Sequence, residues 1–267
     1  MKTIICCYNN RKQLEYFLLL SLGELYGSRV IIKDSFDFSC EVFSENIEVL
    51  CITINNENNK YSSCAAAYKD TVERWHKFIG KTLFFVHQDI FFLSTAFIDD
   101  AHKLLCKEPD AIYGVAGMPE KGRTVSNLKY QKDKSYITQI RAEENTKVMS
   151  LDECCFAMSS ELYFKTGFDL RVCDHWHLYA VELCYNARVN WNVESFVLKA
   201  SEEVCHKYNN EGGLYADNHF LWSLIKMMWK YRKHVRKIYT PCLIVDISLC
   251  KGSMRLLKSF LKNVLKK

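Results

Sequence analysis

With 267 residues, 49% of them hydrophobic and 25% charged, the chain has enough apolar material for one sizeable core, which excludes disorder as its default state. Three prolines and ten glycines leave no low-complexity linker and no collagen-like or solenoid period. The formal net charge of +5 is unevenly placed: Lys226 to Lys237 (KMMWKYRKHVRK) and the tail from Lys251 to Lys267 contain no acid, an asymmetry that asks for a partner or a surface.

The economical organisation is one domain over residues 1–242 with a basic extension over 243–267. The thirteen cysteines are scattered singly or as the adjacent pairs Cys6-Cys7 and Cys154-Cys155, never at zinc-knuckle spacing. Cys6, Cys7, Cys51 and Cys184 sit inside apolar runs, where a thiol acts as a small hydrophobe, and the total is odd. Both points favour a reducing compartment. The apolar part of MKTIICCYNN is too short for an export signal and no stretch is long enough to span a bilayer, so a cytoplasmic protein is expected.

In chain order, Thr3 to Cys7 reads as a buried strand, and Asn10 is placed to cap a helix through Leu18 to Leu22. Arg29 to Lys33 and Glu48 to Ile54 read as strands. Ser62 to Ile79 reads as a helix closed by Gly80, and Thr82 to Val86 (TLFFV) as a fully apolar strand. Ser94 or Thr95 caps a helix to Lys107, and Ala111 to Val115 gives another strand. Met118 to Glu144 is weakly periodic, and a loop of that length is usually functional or mobile. Strand character returns from Val148 to Met158 and a helix follows from Trp176 to Arg188. After these come a strand at Ser195 to Leu198, a polar loop ending in Gly212-Gly213, and a helix from Leu214 to Tyr231. This alternation predicts an α/β fold, a mostly parallel sheet with helices on both faces.

In such sheets ligands sit beyond the carboxyl ends of the strands. Tyr8 and Asn9, Asp34 and Ser35, and the triplet His87, Gln88 and Asp89 should therefore share one rim. Asp89 stands between FFV and IFF, where a carboxylate is costly unless it meets a cation or hydrogen-bond donors. A divalent ion satisfies it; so does a helix cap or a loop amide.

The segments ICCYNN, AAAYKD, FFVHQDIFF, YGVAGMPEKG, DECCFAMSS, HWHLYAVELC and CHKYNNEGG, in that order, resemble the glycosyltransferase family 2-like enzymes of the GT-A fold. More closely they resemble the bacterial branch whose DxD position reads HQD. The resemblance spans Met1 to Cys242. It implies a nucleotide diphosphate sugar as donor and Mn²⁺ or Mg²⁺ as cofactor, with Asp89 and His206 on the metal. It also implies His87 and Gln88 along the donor, His87 against the ribose or a phosphate. Tyr8, Asn9 and Asp34 would lie on the nucleoside, and Gly117 would let the backbone approach the sugar. The Glu-Asp pair that such enzymes use to take the acceptor proton is replaced here by Tyr179 and Ala180. The nearest acid is Glu182, which breaks an apolar series, with His177 five residues earlier. A helix glutamate facing solvent and a histidine at the core edge are the competing readings.

In the tail, Leu256, Leu257, Phe260, Leu261, Val264 and Leu265 form one helical stripe, with Arg255, Lys258, Lys262 and Lys266 largely elsewhere. That pattern suits the surface of an anionic membrane, or alternatively a helix docked on the domain. No recognition-helix, RNP or OB signature accompanies the positive charge, so no nucleic acid is expected. A glycan or lipid-linked oligosaccharide acceptor on the inner face of the cell membrane accounts for that charge. Two other readings stay open, a membrane-surface module with a degenerate site and a sugar nucleotidyltransferase; CCYNN lacks the glycine-rich basic loop the latter wants.

Overall fold

The computed structural model describes residues 1–37, 46–207 and 217–247. Eight strands form the main sheet: β1 (Lys2–Tyr8), β2 (Val30–Asp34), β3 (Val49–Asn55), β4 (Thr82–Val86), β5 (Ala111–Gly114), β6 (Thr146–Val148), β7 (Cys155–Ser159) and β8 (Glu194–Val197). Their order is β6-β8-β5-β7-β4-β1-β3-β2. β2, β3, β1 and β4 run parallel; β7 is antiparallel to both β4 and β5, β8 is parallel to β5, and β6 is antiparallel to β8. The expected α/β, mostly parallel sheet with helices on both faces is what forms.

The central strands are buried along almost their whole length and mostly apolar because both faces of the sheet are covered. Alternate residues feed two cores, Ile5, Leu83, Phe85 and Phe156 on one side and Ile4, Phe84, Val86 and Ala157 on the other. The first core packs under the helices Cys64–Trp75, Ser160–Thr166, Tyr179–Trp191 and Asn218–Tyr231, and the second under the helical run from Arg11 to Tyr26 and the helix Ala96–Lys107. Each fully buried phenylalanine such as Phe85 contributes about 1.5–3 kcal/mol relative to exposure.

Helix starts follow local capping chemistry. Asn10 accepts from Gln13 N at 3.1 Å, Ser63 from Ala66 N at 3.1 Å, Ser159 from Leu162 N at 3.0 Å and Asp217 from Phe220 N at 2.8 Å. The run after Asn10 holds a π-helical segment, Glu15–Leu19, inside its α-helical turns.

Several elements differ from the sequence expectation. The single strand expected over Val148 to Met158 is three pieces, β6, the short strand Ser150–Leu151 and β7, with a turn at Asp152 to Cys154. The stretch from Met118 to Glu144, expected as a weakly periodic loop of functional or mobile character, holds some regular structure. It contains the strands Val125–Ser126 and Lys129–Tyr130, and buried Asn127 binds Ala142 O at 2.8 Å, Lys199 O at 3.0 Å and Ala142 N at 2.8 Å. The helix expected from Trp176 begins at Tyr179, after Leu178 takes a left-handed backbone with φ 65°. Helix Ser160–Thr166 and the hairpin Lys237–Tyr239 with Ile244–Asp246 were not expected. That hairpin straddles the boundary set at residue 242. The Gly212-Gly213 loop and the amphipathic tail lie outside the described residues. All cysteines among the described residues are free thiols.

Candidate functional site

Parallel β1, β2 and β4 put their carboxyl ends on one edge, and the residues after them meet there. Gln88 is the tie: its Oε1 accepts from Asn9 N and Asn10 N, both at 3.0 Å, and its Nε2 donates to Asn9 Oδ1 at 2.9 Å. Tyr8 is nearly enclosed, and burial is the main force pushing its phenol up from the usual range. Asp34 closes the next strand by accepting from Phe36 N at 2.9 Å.

After Val86 the chain turns through His87, Gln88 and Asp89 into a short strand, Ile90–Phe92. That strand pairs with Val204–His206 so that His206 lies opposite Ile90. This pairing brings distant chain segments together, and Asp89 O accepts from Lys207 N at 3.1 Å. Ligand atoms of His87, Asp89 and His206 all lie within 4.8 Å of one another, and all three residues are partly exposed. Asp89 Oδ1 and His206 Nε2 are 3.5 Å apart.

Both imidazoles are oriented from behind. His206 Nδ1 is 3.0 Å from Lys207 O; a carbonyl can only accept, so Nδ1 carries a proton and Nε2 is the nitrogen turned towards Asp89. His87 Nε2 is 2.8 Å from the Tyr179 hydroxyl, which itself donates to Glu153 O at 3.2 Å. The hydroxyl proton being used there, His87 Nε2 must be the donor, which leaves Nδ1 free. Burial, the largest influence, lowers the pKa of His87 against the pull of Asp89 and Asp152, so its ring stays neutral. Two imidazoles, each with the ring nitrogen away from its backing hydrogen bond left for a ligand, and one carboxylate form a donor set that fits Mn²⁺, and it fits less well Mg²⁺, which prefers oxygen. His87, expected against the ribose or a phosphate, stands with the metal-competent group.

Two acids at this place were missed by sequence reasoning. β7 runs antiparallel to β4 with Cys155 opposite Val86, so the turn before β7 meets the turn after β4. His87 N donates to Cys154 O at 2.9 Å. Asp152, partly exposed, accepts from Cys154 N at 3.0 Å, and its charge acts on His87 together with that of Asp89. Burial pushes the Glu153 carboxyl well above the usual range, opposed by the amides of Leu178 and Tyr179, and its Oε1 is buried without a partner. The left-handed turn at Leu178, a conformation that costs about 1–2 kcal/mol, is where those amides start the Tyr179 helix. The signal in the sequence was the same one that exposed Asp89: DE interrupts the apolar run between SL and CCFAM.

Three sequence candidates have other surroundings than expected. Glu182 is fully buried, neither on a solvent face nor in the cleft. Its Oε1 accepts from Lys230 Nζ at 2.5 Å and Tyr231 OH at 2.8 Å, and Lys230 also reaches Asp169 at 2.9 Å. These two carboxylates hold Lys230 charged, raising its pKa against burial. His177 Nε2 lies 3.5 Å from Asp217 Oδ1, at the start of the helix Asn218–Tyr231. Gly117 is buried in the strand Ala116–Met118, where an added Cβ would lie 2.6 Å from Ser150 O and 2.9 Å from Val148 Cγ2. The demand for glycine there comes from strand packing rather than from a sugar.

No protein-family profile and no curated protein sequence matches the chain. Solved structures do. One is GalNAc-T7 with UDP, GalNAc and Mn²⁺, at TM-score 0.59 and 11% identity over 88% of this chain and 48% of that one. A second is the mannosyltransferase PcManGT from Pyrobaculum calidifontis in complex with GDP-Man and Mn²⁺, at TM-score 0.52 and 12% identity over 87% and 64%. A third is S. aureus TarS 1-349 with UDP-GlcNAc, at TM-score 0.50 and 12% identity over 87% and 67%. The fold is the GT-A fold of glycosyltransferases. The chain spans about half the length of the GalNAc-T7 structure, so the likeness is one of fold. On this GT-A frame the His87, Asp89 and His206 group stands at the carboxyl end of β4, the strand that joins the parallel and antiparallel parts of the sheet.

Proposed function

We propose that the chain is a metal-dependent glycosyltransferase that moves a sugar from a nucleotide diphosphate sugar to a hydroxyl of a glycan or lipid-linked oligosaccharide, with inversion. The observation that carries this reading is the group His87, Asp89 and His206 at the end of β4, with both rings held from behind. The neighbours determined with UDP, UDP-GlcNAc, GDP-Man and Mn²⁺ support the donor class and the cofactor.

In this reading Asp89, His206 and His87 hold Mn²⁺ or Mg²⁺, which when bound supplies positive charge to the leaving diphosphate. Tyr8, Asn9 and Asp34 line the nucleoside side, and Gln88 fixes the loop that carries them by its bonds to Asn9 and Asn10. The acceptor hydroxyl must lose a proton as its oxygen bonds the anomeric carbon. Glu182 is enclosed and paired with Lys230, so we place that proton on Asp152, the partly exposed acid beside His87. His177, partly exposed and next to Asp217, is the second candidate. No helix among the described residues is long and apolar enough to cross a membrane, and the basic tail is assigned to a peripheral position on the inner membrane face.

The test is hydrolysis of a panel of UDP- and GDP-sugars by the full chain, with Mn²⁺ or with chelator, alongside thermal stabilisation by UDP and GDP. The reading expects Mn²⁺-dependent turnover of one donor, lost in Asp89→Ala. Asp152→Asn should keep Mn²⁺-dependent nucleotide binding and lose transfer. Equal stabilisation with and without Mn²⁺, or full transfer by Asp152→Asn, would overturn the metal or the base assignment respectively.

A further inference from the structure

The helix Asn218–Tyr231 buries Phe220, Leu221, Leu224, Met227 and Tyr231 against the core, as its apolar spacing requires. Its opposite side is also apolar. Trp222 is 57% exposed, Ile225 39% and Trp229 65%, at i, i+3 and i+7 on one stripe. They face an open groove of about 1880 Å³ between this helix, the Asp169 to Val172 turn and the Lys237–Tyr239 hairpin. Large exposed apolar side chains in one stripe mark an interaction surface rather than ordinary scatter.

The rim of the groove is cationic. Lys226 and Lys230 are held by Asp174, Asp169 and Glu182, and Arg171 by Asp169. Arg232, Lys233, Arg236 and Lys237 also line it, and none of these four makes an ion pair with a described residue. Arg232 lies over the Trp229 ring at 4.0 Å. The described chain ends in the same groove at Asp246 and Ile247, and residues 248–267 beyond it carry six Lys or Arg and no acid.

We infer that this face is the seat of the protein on an anionic phospholipid bilayer, with Trp222 and Trp229 at the headgroup level and Arg232, Lys233, Arg236 and Lys237 against lipid phosphates. Indole rings, with an apolar body and one N–H donor, partition to that boundary, and cations on the same face add attraction to anionic lipid. The chain's own tail is the poorer occupant of the groove: it would bring six cations to a rim that already carries these four, and supply no acid. The inference adds to the proposed peripheral position a surface on the folded domain itself. It does not depend on which donor or base the transferase uses.

Flotation of the full chain with phosphatidylcholine vesicles, with and without phosphatidylglycerol, tests it. Each cation near an anionic surface is worth about fivefold in binding, so the four together give a lipid preference of roughly several hundredfold at low salt, weakened as salt is added. Trp222→Ala with Trp229→Ala, and separately Lys233→Glu with Arg236→Glu, should each lower binding to anionic vesicles at least about tenfold. Their melting temperatures and Mn²⁺-dependent nucleotide binding should stay as in the parent. Lys258→Gln with Lys262→Gln and Lys266→Gln separates the tail. If that triple variant abolishes binding while both groove variants bind like the parent, the assignment fails. It fails equally if neutral and anionic vesicles bind alike, or if Trp222→Ala with Trp229→Ala only dissolves a dimer seen by light scattering. Loss of donor hydrolysis with vesicle binding intact would count against the transferase reading alone.

Discussion

Tyr179→Phe removes one oxygen and isolates the orientation of His87. The ring is fully buried among Tyr68, Phe156 and Phe168, at centroid distances of 5.8, 6.2 and 6.0 Å, and phenylalanine keeps those contacts. What disappears is the hydroxyl that takes the His87 Nε2 proton at 2.8 Å and donates to Glu153 O at 3.2 Å. A buried donor left without a partner costs about 1–3 kcal/mol, so the urea midpoint should fall by that equivalent. The larger consequence is for the ion. With nothing holding Nε2–H, the ring is free to rotate or to change tautomer, and Nδ1 is no longer aimed. Loss of such a partner behind a ligating histidine lowers metal affinity about 10–100-fold, or about 1.4–2.7 kcal/mol. Calorimetric titration of Mn²⁺ in the presence of UDP or GDP measures this directly, with His87→Ala as the variant that deletes the ligand outright. The expected order of affinity is parent, then Tyr179→Phe, then His87→Ala. If Tyr179→Phe binds Mn²⁺ within a factor of two of the parent while His87→Ala binds weakly, the orienting role is refuted. If neither variant loses affinity, His87 is not a ligand.

Further expectations concern the remainder of the chain. Lys230→Met leaves Glu182 fully buried and without its cation, a loss of about 3–5 kcal/mol in denaturant unfolding; Mn²⁺-dependent nucleotide binding by the folded fraction should be unchanged. Gly117→Ala forces a methyl to within 2.6 Å of Ser150 O and should lower stability by about 1–3 kcal/mol, read as a drop in melting temperature. Acid should destabilise the fold partly through Asp169, whose carboxyl is held far below the usual range by hydrogen bonds from Arg171, then Lys230. A depressed carboxyl contributes its full stability above its unfolded pKa near about 3.9, and that contribution falls away as pH drops towards the folded value. Asp169→Asn should therefore show a shallower loss of melting temperature than the parent between about pH 5 and pH 3, and parallel slopes would remove Asp169 from the acid response.

The fold was legible because its main signals are local. LFFV, VLCITI and IICC are apolar but for Thr53, which only a strand covered on both faces tolerates, and Asn10 announces its helix by capping chemistry. Asp89 was legible for the opposite reason, as a carboxylate in an apolar run. What could not be read was pairing. The break of the Val148 to Met158 stretch into three pieces depends on Ser150–Leu151 crossing to pair with Ala116–Met118, and nothing inside the segment records that partner. Glu182 was misread for a related reason. A glutamate in an apolar helix looks catalytic until Lys230, 48 residues away, turns out to face it. Tyr179 stood in the place of an expected acid and its use appears only when His87, 92 residues distant, comes within hydrogen-bond reach.

The two acidic breaks in the chain are one feature in space. β4 leaves the sheet at Val86 and β7 enters it opposite, at Cys155, so whatever follows the first must meet whatever precedes the second. An antiparallel strand inserted beside the last parallel one thus places His87 and Asp89 against Asp152 and Glu153, in a setting where burial already disfavours charge on Glu153. Concentrating carboxylates at one strand end costs stability unless a cation answers them. Lys230 is occupied with Glu182 and Asp169, and the nearest imidazole, His87, is kept neutral by burial. A divalent ion at Asp89, His87 and His206 would meet that demand, and the hydrogen bonds that the two rings donate to the Tyr179 hydroxyl and to Lys207 O would hold them in place for it.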